Sequence, residues 1–144
     1  MEIEYNNLIM VVFAIPFVVI AVNVIRRSVY FFSIWKQSVV VKARLISFER
    51  GLVRVADDTK LHTKVVVAYQ YNDTFYDEVK SYSVGNIQFS KSREPGSECL
   101  VRISKQYPQA ILQGTLAGNI YRLIFGVSVI VFCVIFCLVG LGIV

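Results

Sequence analysis

Apolar and polar positions divide the chain into three stretches. Residues 8–25 (LIMVVFAIPFVVIAVNVI) and 123–144 (LIFGVSVIVFCVIFCLVGLGIV) carry no charged side chain over 18 and 22 positions. A helix needs about 20 such residues to cross a bilayer core. The pattern therefore predicts two transmembrane helices, at 8–25 and 120–144. Residues 26–37 crowd Tyr30, Phe31, Phe32 and Trp35 beside Arg26 and Arg27. Aromatic rings settle at the headgroup level and arginine snorkels there, so this stretch reads as an interfacial extension of the first helix. Arg26, Arg27, Tyr30, Trp35 and, at the second span, Arg122 are the expected membrane-interface residues; a lipid or sterol contact by the aromatic group is the functional alternative.

From Ser38 the period changes to two. Val41, Ala43 and Leu45 alternate with Lys42 and Arg44 in a run from Val39 to Phe48, the mark of a half-buried strand. Thr63 to Tyr71 alternates likewise. Asn72-Asp73-Thr74 is a tight-turn sequence, and Phe75 to Tyr82 is the returning strand. Cys99, Val101 and Ile103 alternate in a fourth strand, Leu52 to Ala56 reads as a short extra one, Pro95-Gly96 as a turn, and Pro108 as the end of the sheet. The fold class expected is an α+β membrane protein: two transmembrane helices flanking a small antiparallel sheet domain, sandwich- or barrel-like, over residues 38–112. Its inward face is assigned to Val65, Val67, Tyr69 and Tyr71, against Val41, Ala43, Leu45, Val101 and Ile103.

Small residues form stripes on the spans. Gly126, Cys133, Cys137 and Gly140 lie on one face of the second, and Ala14 and Ala21 lie seven apart on the first. Lipid tails already satisfy apolar side chains, so bilayer helices gain by close backbone approach. These six residues are the candidate helix-packing set, within one chain or against a partner, the alternative being that they face lipid. Pro16 leaves the carbonyl of Val12 without its helix bond and allows a bend.

The chain has 144 residues, 17% of them charged, with mean hydropathy +0.58. That composition excludes disorder, collagen and coiled coil, and three cysteines exclude a disulfide-dense scaffold. All 15 Lys and Arg lie between Arg26 and Arg122 with 8 of the acidic residues, a surplus of seven. Positive charge near span ends marks the cytoplasmic side, so the sheet domain is expected inside and both termini outside. Arg26 and Arg27 follow the first apolar stretch, the pattern of a retained anchor and not of a cleaved signal. The basic residues are spread over strands and loops, and attraction to anionic lipid explains them more simply than a nucleic-acid platform. No nucleic-acid partner is expected.

Several segments resemble an uncharacterised family, domain of unknown function 3592. W-K-Q-S-V-V-V-K-A-R-L-I-S-F from Trp35 looks like its opening and V-V-V-A-Y-Q-Y-N-D-T-F-Y, residues 65–76, its central hairpin. E-P-G-S-E-C-L-V-R-I, residues 94–103, resembles the approach to its last strand, and Y-P-Q-A-I-L-Q-G, residues 107–114, its Pro-containing exit. The chain departs from the family's pattern at Lys36, where Pro often follows Trp, and at Ile103-Ser104-Lys105. The resemblance covers roughly residues 35–114 and implies a β module between two membrane helices. The family carries no established activity.

Residues that carry chemistry are sparse. His62 is the only histidine, with Asp57 and Asp58 near in sequence but no nucleophile at a recognisable spacing. Asp77 and Glu78 are strand neighbours that point to opposite faces unless a bulge intervenes. Cys133 and Cys137 share a helical face without a third ligand. No catalytic, cofactor-binding or metal-binding residue is assigned, and no cofactor is expected. The reading is a small non-enzymatic bacterial inner-membrane protein that acts through protein–protein interaction. Its partners are the lipid bilayer and another protein or its own copies; an immunity protein neutralising a cognate toxin is a specific version. The alternatives are an accessory subunit of a larger transport, secretion or envelope complex, and a membrane-bound enzyme or transporter. The last is disfavoured because neither span carries an ionisable side chain.

Overall fold

The computed structural model describes residues 2–55 and 58–140, with side chains from 8 to 52 and from 59 to 140. Helix α1 runs from Glu2 to Lys36 and helix α2 from Leu116 to Gly140. Between them lie β1 (Ser38–Val55), β2 (Asp58–Tyr71), β3 (Thr74–Ser81), β4 (Ile87–Phe89) and β5 (Glu98–Ser104). The chain separates into a helical unit, 1–33 with 116–144, and a β unit, 34–115.

In the helical unit both helices are long and apolar enough to cross a membrane. Their apolar residues stay largely exposed while the small ones are buried: Ala14, Ala21 and Cys133, with Gly126. Cys137 and Gly140 are half-buried. A Cβ placed on Gly126 would come 3.2 Å from the Ala21 carbonyl oxygen and 2.7 Å from Ile25 Cγ1; one on Gly140 would meet Met10 Sδ at 2.5 Å. So α1 and α2 lie side by side with their backbones close at Ala21 and Gly126. Pro16 sits inside α1, which stays helical past it. Ser28 and Asn119, also buried, were not in the expected packing set, although stepping seven residues along from Ala21 and back from Gly126 reaches both. The Ser28 hydroxyl has no hydrogen-bond partner among the described residues. Ser128 donates to the Ile124 carbonyl at 2.9 Å, the i−4 bond by which a helical hydroxyl satisfies itself within its own helix.

The β unit is one antiparallel sheet in the order β3-β2-β1-β5-β4. It is neither a two-sheet sandwich nor a closed barrel among the described residues, because β3 and β4 stay unpaired edges. The register shows how it is joined. β1 pairs with β5 through Ser38–Arg44 and with β2 from Ala43 onward. Only Ala43 and Arg44 are paired on both sides. Just beyond, Leu45 accepts from the Gly96 amide at 2.7 Å and donates to the Ser97 carbonyl at 2.9 Å. At the next residue, Ile46, the register slips between Leu45 and Ser47, a bulge that bends β1.

The inward residues are close to the sequence assignment. Ala43, Leu45, Val65, Val67, Tyr69, Cys99, Val101 and Ile103 form one buried cluster with Val79, Ile87 and Ile111, and Val41 and Tyr71 lie half-buried at its margin. The segment after β5 covers this face. Ile111 bridges to Ile103, and the Tyr69 hydroxyl donates to the Pro108 carbonyl at 2.6 Å. Burial first, and then Tyr76 beside it, push the Tyr69 phenol up to about 12.

Three expectations need correction. Leu52 does not open an extra strand, because β1 continues unbroken to Val55 and pairs with β2 throughout; Ala56 lies outside the described residues, as do residues 141–144 of the second span. The fifth strand is instead Ile87–Phe89, three residues being too short for alternation to show. The β unit extends to Thr115, past the expected end at residue 112, while α1 reaches Lys36, in line with the helical extension read over 26–37. The hairpin turn falls at Asn72 and Asp73, both with positive φ (48° and 62°), the pairing that suits a two-residue loop. Beyond Glu49 and Lys64 the paired strands form a two-stranded ribbon, on which Leu52 and Leu61 are cross-strand neighbours, both exposed.

The two glycines of α2 should respond differently to substitution. Gly126→Leu drives a side chain into the Ala21 backbone, which cannot yield. Gly140→Ala meets only the end of Met10, which can. In detergent, Gly126→Leu should lower the unfolding midpoint by several degrees and Gly140→Ala should leave it within a degree or two of the parent.

Candidate functional site

Alternation in β1, β4 and β5 gives the sheet a second face, turned away from the core. On it stand Val40, Lys42 and Arg44 of β1. Cross-strand register sets Arg102 opposite Val40, Leu100 opposite Lys42, and Glu98 opposite Arg44, with Gln88 of β4 opposite Leu100. Three neighbouring depressions of about 220, 170 and 410 Å3 follow this face, the first two sharing Gln88 and Leu100 and the last two Lys42 and Glu98. The first is bounded by Trp35, Val40, Leu100 and Arg102, the second by Lys42, Gln88 and Leu100, the third by Lys42, Arg44 and Glu98. Together they make a shallow groove with both apolar and cationic walls.

One end of the groove is built rigidly. The Arg102 guanidinium lies 4.2 Å over the Trp35 ring. Its Nη1 donates to the Ser38 hydroxyl at 2.9 Å, and that hydroxyl donates to the Trp35 carbonyl at 2.6 Å. The Lys105 amide donates to the Gln37 carbonyl at 3.1 Å. A helix end leaves carbonyls unsatisfied, and here Ser38 takes up one of them. The same contacts fix the arginine, which keeps its remaining N–H edge for a planar anion. On the core side of the sheet, Arg93 lies 5.3 and 5.0 Å over Phe48 and Phe89 and holds the turn before β5. That turn closes with Gly96 at φ 90°, where a side chain would be strained.

Among the described residues Lys42, Arg44 and Arg102 form no ion pair, and Arg44 and Glu98 stand opposite each other without one. Opposite charges at cross-strand positions attract, so Glu98 partly offsets Arg44, while Lys42 and Arg102 have no carboxylate opposite them across β1 and β5.

The interface residues read from sequence fall in two groups. Arg26, Arg27, Tyr30 and Arg122 are exposed. Trp35 instead stacks under Arg102, a residue 67 positions away that sequence spacing could not connect to it. His62 is exposed with its ring 6.0 Å from Tyr82. Asp77 and Glu78 occupy a bulge in β3, Glu78 with φ 50°, and both are exposed. Cys99 is buried, which pushes its thiol up. No group of three or more His, Cys, Asp or Glu is gathered among the described residues. No protein-family model, curated protein sequence or solved structure matches the chain.

The groove end contains the protein's only tryptophan, which makes its state observable. Arg102→Gln removes the cation above the indole and the bond to Ser38, so Trp35 emission should shift to longer wavelength. Lys42→Gln, two residues along the groove, should leave the spectrum unchanged.

Proposed function

We propose that the chain is a small bacterial inner-membrane protein that works by holding another protein against its β unit. Both helices cross the bilayer, both termini lie outside, and the β unit lies in the cytoplasm. The length and apolar character of α1 and α2 support the membrane part, and the clustering of every basic residue between their uncharged stretches, from Arg26 to Arg122, supports the orientation. The resemblance to domain of unknown function 3592 supports the same architecture. An immunity protein and an accessory subunit are both instances of this role.

One observation carries the binding part. The outer face of β4, β5 and β1 combines exposed Val40 (45% accessible) and partly exposed Leu100 with three cations that form no ion pair among the described residues. Protein recognition surfaces combine apolar contact with polar groups held in place by neighbours, and Trp35 and Ser38 hold Arg102 in that way.

A reporter active only in the periplasm should stay dark when inserted in the Asn72–Asp73 turn and light up after Val144; the reverse pattern would overturn the orientation. A photo-reactive side chain at Val40 or Gln88 should give a discrete protein adduct in cells. The same group at Phe75, exposed on β3, should not. Equal labelling from Val40 and Phe75, or none from Val40 and Gln88, would contradict a binding groove on this face.

A further inference from the structure

We infer that the groove takes an extended, acidic peptide segment of its partner. This rests on the reading of the groove as a protein-binding face and names the chemistry of what lies in it.

The argument begins with spacing. A strand rises about 3.3 Å per residue, so alternate side chains stand about 6.6 Å apart. Register divides the groove into three rows at that interval: Arg102 with Val40, Leu100 with Lys42, and Glu98 with Arg44. The first two rows each offer one apolar side chain and one cation, and the cation changes strand from row to row. An extended peptide lying along the groove has the same repeat, so two of its alternate side chains fall on these two rows. Carboxylates at positions i and i+2 would meet Arg102 and Lys42, while their methylene stems lie on Val40 and Leu100. The third row holds both signs and accepts a neutral or basic residue.

Charge distribution favours this occupant over a bilayer or a nucleic acid. Among the described residues Lys42 and Arg102 have no carboxylate partner, yet Glu98 lies within the same groove, where a continuous sheet of phosphates would be repelled. The cations also alternate with exposed Val40 and partly exposed Leu100 at strand spacing, a pattern that an extended peptide matches row by row and a uniformly charged headgroup surface does not. Arg102 is held by Trp35 and Ser38 before any partner arrives, which lowers the ordering cost of binding.

The test uses the full-length protein in nanodiscs of zwitterionic lipid. Binding is measured for three fluorescent ten-residue peptides of alternating valine with glutamate, glutamine or lysine. The glutamate peptide should bind at least tenfold tighter than the glutamine peptide, and its affinity should fall as salt rises. Arg102→Gln and Lys42→Gln should each weaken it about tenfold. Lys42 is exposed and bonded to no side chain, so its variant remains informative if Arg102→Gln fails to fold; unchanged Trp35 emission certifies it. Equal binding of the glutamate and glutamine peptides, or no loss in Lys42→Gln, would overturn the inference. So would displacement of the glutamate peptide by anionic vesicles or duplex DNA but not by excess unlabelled peptide. Self-association that is lost in Lys42→Gln, without binding of the glutamate peptide, would overturn it too, a second copy then being the occupant. If adducts at Val40 persist in cells while the glutamate peptide fails to bind, the acidic chemistry is wrong and the groove reading stands; loss of both removes the groove itself.

Discussion

The β unit depends on a short stitch in β1. Ala43 and Arg44 are the only residues of that strand paired on both sides, and Leu45 extends the joint through the Gly96–Ser97 turn. On one side lie β5 and β4; on the other lie β2 and β3. Either half alone is a three-stranded fragment with one apolar face, near the lower limit of independent stability. Joined, they bury one continuous cluster in which Leu45, Val65, Val67, Val101 and Ile103 are fully enclosed. The hydrophobic effect acts on the whole cluster only because these few backbone bonds hold the halves in register. The bulge at Ile46 then turns the remainder of β1 away, and the strand leaves the sheet as a ribbon with β2.

The same register produces the outer face. Strand alternation sends Ala43 and Leu45 inward and, by necessity, Lys42 and Arg44 outward. Pairing with β5 adds Arg102, Leu100 and Glu98 at matched heights. Position in the sheet thus fixes the charge pattern of the groove, and the contacts of Trp35 and Ser38 fix its most ordered cation. Sequence, core and recognition surface are linked by one pairing, and a slip by a single residue would exchange the core and the groove.

Much of this is legible in the chain. The two apolar stretches announce α1 and α2 through length alone. Alternation finds the inward residues of β1, β2 and β5, and the Asn-Asp pair finds the hairpin. A seven-residue step finds Ala14, Ala21, Gly126 and Cys133, all of which are buried. What escapes has a physical cause in each case. β4 is too short to show a period. Arg50-Gly51 resembles a break, although cross-strand pairing carries β1 straight through it. The bulges at Ile46 and Glu78 are settled by packing and register, to which local propensity is blind. The groove is invisible in sequence because its residues come from three strands, and their proximity exists only once the register is set. Trp35 reads as a headgroup anchor because its neighbours are aromatic and basic, while its actual partner, Arg102, comes from the last strand.

The central claim is that one short joint makes the two halves of the sheet a single cooperative body. Native-state hydrogen exchange on the protein in nanodiscs tests this most directly. Amides at Leu45, Val67 and Val101 should open together, with one free energy equal to that of global unfolding of the β unit, while those at Leu52 and Leu61 on the ribbon exchange far faster. If Val101 and its neighbours in β5 opened at a clearly lower free energy than Val67 in β2, the halves would be independent and the account of the sheet would be wrong.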